Sequence, residues 1–187
     1  MVTLAPESPD DHHAINLLLD QAFGRDRSQK TSYRYRDGID PIAGLSMTAH
    51  NGDRLVGSIR YWPIRIGADG HPGLLLGPLA VANHSQGTGV GAALVFSTLE
   101  TATAAGHEIV LLVGDLPYYS RFGFVPAAPH GIYMPDENPD RLQLTALAPG
   151  ALKGMAGPVR RWDARGETIA PAGGPIGQHP MSSALDA

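Results

Sequence analysis

The chain has 187 residues, with 14 basic and 18 acidic side chains for a net charge of −4, and no cysteine. That length suits one domain able to bury a working core without staples. The lack of thiols excludes thiolate catalysis and disulfides and agrees with a reducing interior, while the acidic balance argues against a general nucleic-acid binder.

Basic residues do gather at Arg25, Arg27, Lys30, Arg34 and Arg36, which reads as a solvated helix face. Met1 to Pro9 has no basic-then-apolar signal pattern, and no stretch approaches the ~18 uninterrupted apolar residues of a membrane span. The expectation is a soluble cytoplasmic protein with no membrane partner.

In chain order, Val2 to Ala5 reads as a first strand, and Ser8-Pro9-Asp10-Asp11 as a helix start. Ile15, Leu18, Leu19, Ala22 and Phe23 recur at helical spacing until Gly24 ends the pattern. Ser28 to Asp37 reads as a weaker second helix with Tyr33 and Tyr35 among its charges, where half-buried packing accounts for them. Leu45 to His50 and Arg54 to Ile66 form a hairpin across Asn51-Gly52. After the Asp69-Gly70 turn, Gly73 to Val81 returns as the central strand. Pro78 cannot donate to a neighbour and Gly77 permits a kink, so a bulge is expected there.

Gln86-Gly87-Thr88-Gly89-Val90-Gly91 then leads into a helix over Gly91 to Ala105, with an apolar stripe of Ala92, Val95, Phe96, Leu99 and Ala102 that predicts near-complete burial. Strand, glycine loop and helix make an anion-binding layout, because the first N–H groups of a helix have no internal partners and glycines admit a ligand close to the backbone. Ile109 to Val113 is a short interior strand. Gly114-Asp115-Leu116-Pro117 turns into a short helix through Tyr118, Tyr119 and Arg121, and Phe122-Gly123-Phe124 begins the next strand. Pro126 to Pro139 reads as an irregular loop and Leu142 to Leu147 as the last strand. Beyond Trp162 the composition shifts to Gly, Pro, Ala and Ser, so residues 1–163 form the predicted domain and 164–187 an extension on the domain surface or a partner, which makes a homodimer an option.

Gln86, Gly89 and Gly91 fill the positions of a Gln/Arg-x-x-Gly-x-Gly/Ala loop, and Tyr119 stands before Gly123-Phe124 as Tyr-x-x-x-Gly-Phe. This pair of motifs resembles the acyl-CoA signature of the GNAT superfamily of N-acetyltransferases. The segment Pro149-Gly150-Ala151-Leu152, with Gly154, Gly157 and Val159, looks like the ending of a bacterial subgroup of predicted acetyltransferases. The resemblance implies a mixed α/β (α+β) domain with a mostly antiparallel sheet of about six to seven strands, splayed at the acyl-CoA site and flanked by about four helices.

It also implies an acetyl-CoA-dependent N-acetyltransferase acting on a primary amine of a small molecule or peptide. The backbone of Gln86, Gly87, Thr88, Gly89, Val90 and Gly91 would hold the pyrophosphate, and Leu79-Ala80-Val81 would pair with the pantetheine arm. Tyr119 would protonate the thiolate, and an N–H near Leu79 or Ala80 would meet the oxyanion. Two departures stand out: Asn83 where the family commonly has Pro, and Gly114-Asp115 where it often has Asn. Asp115 then either hydrogen-bonds the pantetheine or caps the short helix.

Two other readings compete. Gly87-x-Gly89-x-x-Ala92 also fits a dinucleotide fingerprint with Asp115 as the ribose acid, but Ala82 to Gln86 intervene after the strand, Pro78 does not suit a central Rossmann strand, and no second strand–helix series follows. The other is an acyl-CoA sensor without turnover. For the general base, His50, His71, His84, His130, Glu137 and Asp115 all remain open. Asp11-His12-His13 diverge around a helix start, so no metal is expected.

Overall fold

The computed structural model describes residues 1–162, and the expected extension at 164–187 lies outside them. Its sheet is nine-stranded, with β1 (Val2–Pro6), β2 (Met47–Asn51), β3 (Arg54–Ile66), β4 (His71–Val81), β5 (Ile109–Val113), β6 (Val125–Pro126), β7 (Ile132–Tyr133), β8 (Leu142–Ala146) and β9 (Gly157–Arg161). The order is β1-β2-β3-β4-β5-β8-β6, with β9 beside the far end of β3 and β7 beside β9. Along that order every pairing is antiparallel except β4 with β5. The α-helices are α1 (His12–Phe23), α2 (Val90–Ala104) and α3 (Leu116–Tyr119).

Both faces of the sheet are covered, which explains the continuous apolar runs of β4 and β5. Leu74, Leu76, Val110 and Leu112 join α1 and α2 on one face with Ile15, Leu19, Tyr61, Leu94 and Val95. Leu75, Ile109 and Leu111 alternate to the other face, against Tyr35, Trp62, Ile64 and Val159.

The expected bulge is present: Ile59 opposes Leu79 but Tyr61 opposes Leu76, so β4 carries one more residue than β3 across this step. The indole Nε1 of Trp62 donates to the Gly77 carbonyl at 2.7 Å and fixes the bulge. Beyond it the sheet opens. The parallel ladder of β4 and β5 runs from Leu74–Val110 to Leu76–Leu112 and stops, leaving Gly77 to Val81 without a strand on that side.

Several expectations need correction. The second helix is instead two short 3-10 stretches, Arg27–Gln29 and Thr31–Tyr35, because Tyr35 and Arg36 turn inward and the backbone closes tight bonds such as Tyr33 N–H to Lys30 at 2.9 Å. The strand after Phe124 has only two residues. The loop from Pro126 holds β7, and the sheet ends on β9 rather than at Leu147. On α2, Phe96 is 52% exposed, and on α1 Ala22 faces solvent.

Candidate active site

A cavity of about 930 Å³ occupies the opening between β4 and β5. Its walls come from Leu76 to Leu79 and Val81 of β4, from the glycine loop, from Val113 to Asp115 at the end of β5, and from Tyr118 and Tyr119 of α3. Lys30 to Tyr33, Arg36 and Glu137 also line it.

The floor is set by strand alternation. Ala82 N–H donates to Val56 at 2.9 Å, and in the same antiparallel register Ala80 opposes Ser58. Every second residue of such a strand bonds its neighbour, so Ala80 spends its backbone groups on β3 whereas Leu79 and Val81 turn theirs to the cavity. The Val81 carbonyl accepts from Gln86 Nε2 at 3.2 Å, and the same amide nitrogen reaches Asn83 Oδ1 at 3.2 Å, so Gln86 and Asn83 tie the loop to the strand end. Ala80 is thus the one member of Leu79-Ala80-Val81 that the fold does not bring to the cavity.

At the loop, Gly87 and Gly89 take φ of +75° and +90°, a left-handed backbone that side chains resist. The first bond of α2 runs from Ala93 N–H to Gly89 at 2.9 Å. The N–H groups from Gly87 to Ala92 therefore have no backbone partner among the described residues. Thr88 turns its hydroxyl back to Ser85 O at 2.6 Å and holds the turn rather than lining the cavity. The positive end of a 15-residue helix faces the same space.

The opposite wall is aromatic. A Cβ on Gly114 would lie 2.4 Å from Tyr119 Cε2, so the ring packs where only glycine leaves room. Tyr118 and Phe124 meet the Tyr119 ring edge-on at 4.9 and 5.8 Å. Its hydroxyl has no hydrogen-bond partner among the described residues. Burial, then the neighbouring Tyr118 and Asp115, raises the Tyr119 phenol well above its ordinary value, so it carries its proton throughout the neutral range. Asp115 stands at the start of α3, but its side chain makes no capping bond and lies 3.9 Å from Arg141.

Lys30, Arg36, Arg121 and Arg141 line the cavity against Asp115 and Glu137, an excess of cations suited to anionic ligands. Arg121 stacks on Tyr118 at 4.1 Å. The reading of the basic cluster as a solvated face fails at Arg36, which is 9% exposed, and at Arg27, which pairs with Asp20 at 2.8 Å and Tyr33 at 3.0 Å. Aromatic and basic residues interleave from Tyr33 to Arg36, and that was the signal available in the sequence.

Of the two tyrosines there, Tyr33 lines the cavity and Tyr35 belongs to the core. Of the candidate bases, Glu137 and Asp115 line the cavity, and none of its lining residues is a histidine. His50 instead contacts Thr48 at 3.0 Å, and His71 lies 4.0 Å from Asp69. Among the described residues no cluster of His, Cys, Asp or Glu could hold a metal, and no helix is long and apolar enough to cross a membrane.

Known proteins resemble the chain over most of its length. The family model for an acetyltransferase (GNAT) domain matches residues 5–127. The uncharacterized N-acetyltransferase YhbS of Escherichia coli (strain K12) is 30% identical over 154 residues, 82% of this chain and 92% of that protein. The crystal structure of YhbS from Escherichia coli in complex with CoA superposes with a TM-score of 0.75 at 28% identity, covering 84% of this chain and 88% of that one. A GNAT family acetyltransferase from Brucella melitensis in complex with acetyl-CoA gives 0.61 at 26% identity, covering 80% and 90%.

Proposed function

The chain belongs to the GNAT acetyltransferase family, and from that premise we propose that it moves the acetyl group of acetyl-CoA to a primary amine of a small molecule or peptide. The observation that carries this reading is the meeting of unbonded N–H groups at the head of α2 with the unpaired edge of β4 in one cavity. A diphosphate suits the first and an amide-bearing pantetheine arm the second. The absence of cysteine suits work in the cytoplasm.

In this reading a neutral amine attacks the thioester carbon, a C–N bond forms, and the carbonyl electrons move to oxygen. The Leu79 N–H, which β3 does not use, meets that oxyanion. Collapse breaks the C–S bond, and the sulfur leaves with its electron pair under the Tyr119 hydroxyl. A phenol held above its usual pKa of 10 is a reluctant donor to a thiolate of about 8.5. Tyr119 therefore hydrogen bonds the developing charge and keeps its own proton, and the proton that the amine gives up is relayed to the sulfur. Glu137, on the acceptor side, takes that amine proton through a water.

The test is thioester consumption across an amine panel, with acetyl-CoA binding followed by thermal shift. Saturable turnover that falls in Tyr119→Phe, with CoA binding retained, is the expected result. Tight CoA binding without turnover of any amine overturns the enzyme reading in favour of a sensor, and stabilisation by nicotinamide dinucleotides alone overturns both.

A further inference from the structure

Arg36 is a buried cation without an anionic partner. Its guanidinium stacks over the Tyr33 ring at 4.6 Å, and Tyr33 is itself held by Arg27, whose other bonds go to Asp20 and Asn16. A Cβ on Gly77 would lie 3.1 Å from Arg36 Nη2, so the head group rests against the bulge of β4. Its Nε is buried with no hydrogen-bond partner, and no carboxylate among the described residues lies within ion-pair distance of it. Of the groups around it, Arg27 and Arg60 repel it and only Tyr33 favours its charged form.

Leaving such a charge buried and unpaired is costly. Burial pulls the guanidinium down to about 10, still charged at neutral pH. Arginine presents a planar fork matched to a carboxylate, and this one lines the cavity with its platform already built.

Its position says which molecule it serves. Gly77 lies four residues from Val81, at most about 13 Å along a strand, so Arg36 is at the end of the cavity away from the α2 head. Gly77, against which it rests, is only two residues, roughly 7 Å, from Leu79, where the acyl carbon would be attacked.

We propose that Arg36 is the carboxylate-binding residue of the acceptor site, and that the acceptor is a small amine bearing a carboxylate a short spacer away, an amino-acid-like molecule rather than a polyamine. This rests on the acetyltransferase reading above. The Arg36 fork takes the carboxylate, the Tyr33 face packs on the spacer, and the amine is delivered beside Leu79.

The test compares amino acids with their primary amides, 4-aminobutyrate with butylamine, and spermidine, each with acetyl-CoA. Wild-type protein is expected to favour each acid over its neutral partner at least tenfold in kcat/KM. Arg36→Met should bring that ratio near one with KM for acetyl-CoA unchanged, and Arg36→Lys should keep part of it. A guanidinium that only braces the fold would leave the ratio untouched, and an unchanged ratio in Arg36→Met overturns the proposal. So does equal or better use of amides or spermidine by wild type, or acetyl-CoA binding with no carboxylated amine turned over. If Arg36→Met fails to fold, the wild-type ratio and Arg36→Lys still decide. Failure to bind acetyl-CoA at all instead removes the acetyltransferase reading beneath it.

Discussion

Leu76 of β4 is paired with Leu112 of β5, and the ladder ends with that pair. Past this point β4 keeps one neighbour, and its residues divide by parity: Leu79 and Val81 face the cavity, Ala80 faces Ser58. Proline scanning separates the roles. Leu79→Pro removes an N–H that β3 does not use, so turnover should fall about 10²–10³-fold, the usual loss for one oxyanion donor, with a small change in melting temperature. Ala80→Pro removes a ladder bond and leaves its buried acceptor unpaired, so it should cost about 1–3 kcal/mol in denaturant unfolding. Full activity in Leu79→Pro would assign the oxyanion to another group.

Tyr119 and Gly114 form a second linked pair. Tyr119→Phe keeps the ring packing and deletes the hydroxyl, so kcat should drop about 10²-fold or more while KM for acetyl-CoA holds. Because the phenol is raised, the alkaline limb of wild-type kcat should not begin below about pH 10. Gly114→Ala drives a Cβ into the ring edge, and should lower kcat in the same direction with a stability loss of about 1–3 kcal/mol. A Phe variant with wild-type kcat would remove Tyr119 from the chemistry.

The loop glycines should divide between backbone and space. At Gly89 nothing crowds a Cβ but φ is +90°, so Gly89→Ala should cost about 1–2 kcal/mol of stability. At Gly91 the backbone is helical and a Cβ would meet the Tyr118 hydroxyl at 2.7 Å, the far end of a side chain that can swing. Gly91→Ala should therefore be close to neutral in thermal melting yet raise KM for acetyl-CoA severalfold, because the displaced Tyr118 lines the cavity. Calorimetry and KM on the pair check both halves.

What the sequence made legible was local. The glycine loop announces itself by residue type, and the bulge by a proline that cannot donate inside an otherwise continuous apolar run. The opposite case is β9, where Gly157-Pro158 argues against a strand and the partner, Ile64 to Ile66, lies far back in the chain. The exposure of Phe96 was equally hidden, since small residues surround α2 and leave its burial to whatever packs there. Arg36 looked like one more surface cation. Its burial follows from the Thr31–Tyr35 stretch packing on β9 and setting Arg36 against Gly77, partners far along the chain, so the interleaved aromatic and basic residues were a weaker signal than the glycine loop.

Buried phenols supply a test of the core. Tyr35 and Tyr61 are both 0% exposed, and burial raises each well above the ordinary 10. Below pH 10 folded and unfolded chains hold these protons equally, so stability does not depend on them there. Above it the unfolded chain releases them first, and each tyrosine withdraws up to about 1.4 kcal/mol per pH unit until its folded pKa is reached. Arg36, lowered to about 10 by burial, works in the opposite direction, so the tyrosine effect is best read as a difference. Tyr61→Phe loses the 2.8 Å hydrogen bond to Thr98 and should be about 1 kcal/mol less stable than wild type at pH 8. Since the variant has no phenol at 61 to ionise, that deficit should shrink and then reverse between pH 10 and 11. Urea unfolding of both proteins at pH 8, 10 and 11 measures it, and a deficit that stays constant would mean that Tyr61 ionises as readily in the folded chain as in the unfolded one.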